Sequence, residues 1–137
     1  MCPVEKRVQT LVGTLETQRQ LGAFAAANSA ISFAVVAAED GIELAAYPPR
    51  CPTTGRLAAM SSSLHALSET LLREARLVDG RSLIVEADGG VVIVLQVPDT
   101  KPRVSLAVVA SGSGILGQLL WASRNCCASL KGTLQVG

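Results

Sequence analysis

Two strand–turn–strand units, one on each side of a long helical pattern, restrict what this chain can fold into more than any single residue does. The first runs from Ser32 to Ala38, turns at Glu39-Asp40-Gly41 and returns from Ile42 to Tyr47. The second runs from Ser82 to Ala87, turns at Asp88-Gly89-Gly90 and returns from Val91 to Val97. Asp-Gly and Gly-Gly supply the positive backbone angles of a tight turn, so both units are expected to be antiparallel hairpins. Helical patterns before, between and after them give the order helix, hairpin, helix, hairpin, strand, helix.

At 137 residues the chain is expected to form one domain, residues 1–137, around one core. Hydrophobic residues make up 49% and charged residues 17%, and the mean hydropathy is +0.39. That is greasy for a monomer and points to apolar surface covered by a partner. Aromatics are only 3%, so the core must be aliphatic. No apolar run approaches the ~18 residues that cross a bilayer, and the first residues lack the apolar region of a secretory signal. No membrane insertion and a cytoplasmic location are therefore expected. The net charge is +1 and the twelve basic residues are scattered, which leaves no stripe to follow a nucleic-acid backbone. Cys2, Cys51, Cys126 and Cys127 are read as free thiols, because neighbouring cysteines rarely bond to each other.

Val8, Leu11, Val12 and Leu15 mark one apolar stripe of a first helix that begins near Val4 and ends at Asn28 or Ser29. Pro48, Pro49 and Pro52 break the chain after the first hairpin, and Thr53 or Thr54 is a suitable cap for a second helix. Along it Leu57, Met60, Leu64, Leu67 and Leu71 form a seam of large residues suited to packing against a sheet or another helix. Roughly 115° around lie Ala59, Ser62, Ser63, Ala66 and Thr70, small and uncharged where a solvent face usually carries Lys and Glu. The helix is thus a candidate for cover on two sides, the alternative being a surface that is merely small and polar. Asp79-Gly80 is expected to stop it. The continuous apolar run Val91 to Leu95 predicts a central strand buried on both faces. Val104, Leu106, Val108 and Ala110 alternate as a further strand. Ile115 to Leu130 is the last helix, with Ile115, Leu116, Leu119, Leu120, Cys127 and Leu130 inward.

The side chains offer little chemistry. Gly112-Ser113-Gly114-Ile115-Leu116-Gly117 matches G-x-G-x-x-G after a strand, but a dinucleotide fold needs a further parallel strand and an acidic residue ~20 positions on. No Asp or Glu follows Gly117, so the glycines serve a strand-to-helix turn. The phosphate-loop signature G-x-x-x-x-G-K-[ST] is absent. His65 is the only histidine, expected to be a solvated residue on a helix flank; a Cys51–His65 nucleophile pair is the remaining enzymatic alternative. No C-x-x-C or H-x-x-x-H spacing supports a metal. No catalytic residue, cofactor or metal site is therefore expected.

The chain resembles the Roadblock / dynein light chain family along nearly its whole length. The residues that carry the likeness are Phe33 to Ala45 (FAVVAAEDGIELA), similar to that family's apolar strand and D-G turn, and Leu57 to Glu69 (LAAMSSSLHALSE), similar to its small-residue-rich central helix. Gly80 to Val97 resembles its paired strands, and Leu106 to Ala110 with Gly114 to Gly117 its final strand and helix start. The resemblance implies a Roadblock/profilin-like α+β fold, a five-stranded mostly antiparallel sheet with helices on both faces. It also implies a non-enzymatic regulator or scaffold that pairs with itself or a related chain and binds a small Ras-like GTPase. In such a pair the central helices meet through Ala59, Ser62, Ser63, Ala66 and Thr70, and the edge strand Ser82, Leu83, Ile84, Val85 and Glu86 joins the partner's sheet. An arginine finger from Arg50 or Arg56 is conceivable. The competing expectations are an adaptor subunit without effect on a nucleotide cycle and a small-molecule sensor domain.

Overall fold

The structure is a computed structural model that describes residues 3–100, 102–112 and 116–134, with side chains from residue 13 onward. Its elements are α1 (Pro3–Ala27), β1 (Ile31–Ala38), β2 (Glu43–Tyr47), α2 (Pro52–Glu74), β3 (Ser82–Ala87), β4 (Gly90–Gln96), β5 (Val104–Ser111) and α3 (Leu116–Leu134). The strands form one sheet in the order β2-β1-β5-β4-β3, and every neighbouring pair is antiparallel. The α+β architecture implied by the resemblance is what the chain adopts.

Strand alternation sends two different sets of side chains to the two faces. On one face Ala34, Val36, Ile93, Leu95, Leu106 and Val108 pack beneath α1 and α3, meeting Leu21, Ala25, Cys127 and Leu130. On the other, Val35, Ala37, Ala46, Val94 and Ala107 pack against Ala58 of α2. The second layer is built largely of alanine, which lets the α2 backbone lie close to the sheet.

Several local expectations change. Gly41 has the positive backbone angle expected of it, φ 87°. In the second turn Gly89 and Gly90 do not, and Gly90 is required for another reason: a Cβ there would lie 2.2 Å from the Ala110 carbonyl oxygen. Helix α2 begins at Pro52 with Cys51 as its N-cap, and Thr54 is buried with its hydroxyl donating to the Cys51 carbonyl at 2.7 Å. The helix ends at Glu74, ahead of Asp79-Gly80, because Arg76 turns left-handed (φ 61°) and the Leu77 N–H bonds back to the Leu72 carbonyl at 2.8 Å. That closure satisfies the last carbonyls without glycine. The central strand is β5; β4 lies between it and the edge, so Val91 and Val92 are only half-buried. A continuous apolar run signals cover on both faces and carries no information about rank in the sheet.

Helix α1 ends at Ala27, one residue ahead of the expected Asn28 or Ser29, but Leu15 is 61% exposed and its inward side runs through Thr17, Leu21 and Ala25. Val8, Leu11 and Val12 of that stripe, Ile115 of the last helix, and Cys2 lie outside the described side chains. Leu116, Leu119, Leu120, Cys127 and Leu130 pack inward, joined by Cys126.

Candidate partner interface

The largest departure from the sequence expectation concerns how α2 is rotated. Its buried residues are Thr54, Ala58 and Ser61, continued by the half-buried His65, Ser68 and Leu72 at three and four residue spacing. Of the seam of large residues only Leu57 packs, half-buried, against the chain's own sheet layer, while Met60, Leu64, Leu67 and Leu71 are 54%, 38%, 67% and 68% exposed. Of the two possible partners, sheet or second helix, the sheet takes only Leu57, and the rest of the seam is left facing outward. The facing strands present Val35, Ala37, Ala46 and Ala107, and the small side of the helix nests on them more closely than leucines would.

The rotation is held by polar contacts. Ser62 donates to the Glu39 carbonyl at 2.6 Å, tying the helix to the β1–β2 turn. Arg103 pairs with Glu69 at 2.7 Å, and His65 Nε2 lies 3.5 Å from the other Glu69 oxygen. His65 is not a solvated flank residue: its side chain is 11% exposed, beneath the helix. Burial and then the nearby Arg103 charge hold its imidazole below the usual histidine range, opposed by Glu69 and Gln96.

Ala59, Ser63, Ala66 and Thr70 are exposed on the other shoulder of α2, and Ser62 is half-buried. Ser63 donates to the Ala59 carbonyl and Thr70 to the Ala66 carbonyl, one turn back. With their donors engaged, these side chains present carbon and can be covered at small desolvation cost. Ala59, Ser63, Ala66, Glu39 and Arg103 also line a cleft of about 470 Å³ between α2 and the β1–β2 turn.

Strand β3 is an edge strand, as the resemblance implied. It pairs with β4 in unbroken register from Ser82 to Ala87. Leu83 and Ile84 are half-buried against opposite layers, Val85 is 47% exposed, and Ser82 and Glu86 are exposed. The structure thus leaves α2's outer side and the β3 margin open in one chain.

Among the described residues the candidate Cys51–His65 pair does not assemble. Cys51 at the start of α2 and His65 stand about 20 Å apart by helical rise, so they form no dyad. Hydrogen bonds from the Thr53 backbone, chiefly, lower the Cys51 thiol pKa. Burial pushes Cys126 and Cys127 up to about 12, with mutual repulsion adding to it at Cys127. Among the described residues no group of three His, Cys, Asp or Glu could hold a metal, and no helix is long and apolar enough to cross a membrane. Gly112 and Gly117 flank residues outside the described set, so the G-x-G-x-x-G turn is not seen whole.

No protein-family model and no curated protein matches the chain. Solved structures do. A Roadblock/LC7 domain from Streptomyces avermitilis superposes with a TM-score of 0.68 at 22% identity, over 76% of this chain and 85% of that one. An MglB described with a tetrameric arrangement gives 0.77 at 15% identity over 90% of each chain. MglB from Myxococcus xanthus gives 0.75 at 12% identity over 87% of each. At such identities what is shared is the fold.

Proposed function

Taking the Roadblock/LC7 fold as premise, we propose that this chain is a single-domain, non-enzymatic scaffold that pairs with a second copy of itself and, as a pair, binds a small Ras-like GTPase and biases its nucleotide cycle. The observation that carries the pairing is the complementarity of the outer face of α2 with itself. A two-fold axis crossing the helix at the level of His65 sets Met60 opposite Thr70, Leu64 opposite Ala66, Leu67 opposite Ser63 and Leu71 opposite Ala59. Every large exposed side chain then meets a small one. The same axis sets Arg56 at the start of one helix against Glu74 at the end of the other. Ridges of leucine entering troughs of alanine and serine are how two helices pack closely. Each large side chain so covered contributes on the order of 1.5–3 kcal/mol when fully buried, before association entropy.

The resemblance also implies that the two β3 margins meet in the pair, which would remove the exposed edge of each sheet. The GTPase reading rests on the family resemblance and on the lack of an assembled catalytic set among the described residues. A scaffold needs only different affinities for two switch conformations in order to shift their balance.

Light scattering of the wild-type chain tests the pairing, with twice the chain mass expected. Leu67→Arg is expected to return the mass to one chain while leaving far-ultraviolet dichroism unchanged, since the side chain lies outside the core. A wild-type monomer rejects the pairing. GTP hydrolysis by a co-purified Ras-like GTPase, with and without this protein, tests the rest. Binding without a change in turnover would make the protein an adaptor instead.

A further inference from the structure

A sheet with two open edges polymerises when one edge adds a strand, because each added copy presents a fresh edge. The two edges of this sheet are not alike. At β2 the Gln18 carboxamide of α1 forms a two-point clamp on one backbone residue: its Nε2 donates to the Ala46 carbonyl at 2.7 Å and its Oε1 accepts from the Ala46 N–H at 3.0 Å. Both backbone groups of Ala46 are thereby taken up by a side chain, with the geometry a neighbouring strand would use.

Two further features stand beside the clamp. The β1–β2 register slips between Val36 and Ala37, leaving Leu44 without a cross-strand partner. Such a bulge turns an edge away from a straight ladder. The strand is also only five residues long and runs directly into Pro48, which has no N–H to offer. At β3, by contrast, six residues run in continuous register with no bulge, and no side chain among the described residues clamps the outer backbone.

We propose that Gln18 is an edge seal. It closes the β2 margin to strand addition, so that the sheet grows only at β3 and assembly stops at two chains. The partner admitted at β3 is a second copy of this chain, a commitment that rests on the pairing argued above. The seal is a separate property, located on the opposite side of the sheet.

The test combines mass with amide exchange in the full chain. In the wild type, the Ala46 amide is expected to exchange slowly and the mass to stay at two chains as concentration rises. Gln18→Ala is expected to speed Ala46 exchange by roughly tenfold, the scale of one lost hydrogen bond, and to add masses beyond two chains that grow with concentration. Gln18→Glu keeps an acceptor for the Ala46 N–H but cannot donate to its carbonyl. It should fall between the two, and it decides the matter if the alanine variant does not fold.

Fast Ala46 exchange in the wild type would overturn the clamp. A two-chain mass at every concentration, in a variant whose Ala46 exchanges fast, would overturn the seal. If the wild type proves monomeric, the pairing fails but the seal does not. Gln18→Ala must then show self-association that the wild type lacks, and its absence would remove the seal as well.

Discussion

His65 sits under α2 with Glu69 of its own helix, Arg103 from the segment before β5, and Gln96 of β4 around it. Its folded pKa lies below the unfolded value of about 6.5, chiefly through burial. The unfolded chain therefore binds more protons as the pH drops, and stability present above about pH 6.5 is lost as pH falls through the folded value. The urea midpoint is expected to be flat between about pH 7 and pH 8 and to decline below that window, and His65→Gln should flatten that acid-side decline. Depressed carboxyls such as Asp99, held down by Lys131, titrate lower and leave this window clear. The thiols make a second residue-scale prediction. Iodoacetamide is expected to label Cys51 in the folded protein, and Cys126 and Cys127 only after denaturation, because burial and a pKa of about 12 suppress their thiolates. Neither His65's burial nor Cys126's was legible from local sequence, since both depend on which side of a helix meets the sheet.

At the scale of the element, α2 is the instructive case. Its periodicity shows a stripe of large residues and a stripe of small ones, and hydrophobicity alone would turn the large stripe inward. The structure turns inward a third line, Thr54, Ala58, Ser61 and His65, because the middle of the opposing sheet face is rich in alanine and the small side of the helix nests closely there, leucine entering only at the margins as Leu57 and Leu83. Ala58 is fully buried and Leu67 is 67% exposed. Ala58→Leu is accordingly expected to cost about 1–3 kcal/mol in chemical denaturation through overpacking. Leu67→Ala should leave the stability of an isolated chain within about 0.5 kcal/mol, the range of an ordinary surface change. If Leu67→Ala instead lowers the midpoint in a concentration-dependent way, the loss belongs to an interface. The hairpins were legible for the opposite reason: their turn residues and alternation are local, and β1 to β4 appear within a residue or two of where the pattern places them.

For the molecule as a whole, Arg50 and Arg56 flank the start of α2, and both are exposed. In the proposed pair Arg56 would face Glu74 of the second copy, which gives it a role in pairing and not as an arginine finger. Arg50→Ala is expected to leave a partner's GTP turnover unchanged, whereas Arg56→Glu should weaken pairing and Arg56→Glu with Glu74→Arg restore it. A fall in turnover of tenfold or more with Arg50→Ala would instead assign it a finger role. The order of elements and the antiparallel pairing within the two hairpins were properties of the sequence by itself, because turns, caps and alternation are set by neighbours along the chain. Which face of α2 is buried, which strand is central, and why one sheet margin is closed by Gln18 while the other stays open were decided only by the tertiary structure. Those depend on the shape and hydrogen-bonding needs of surfaces brought together from distant parts of the chain, which periodicity along a single segment does not encode.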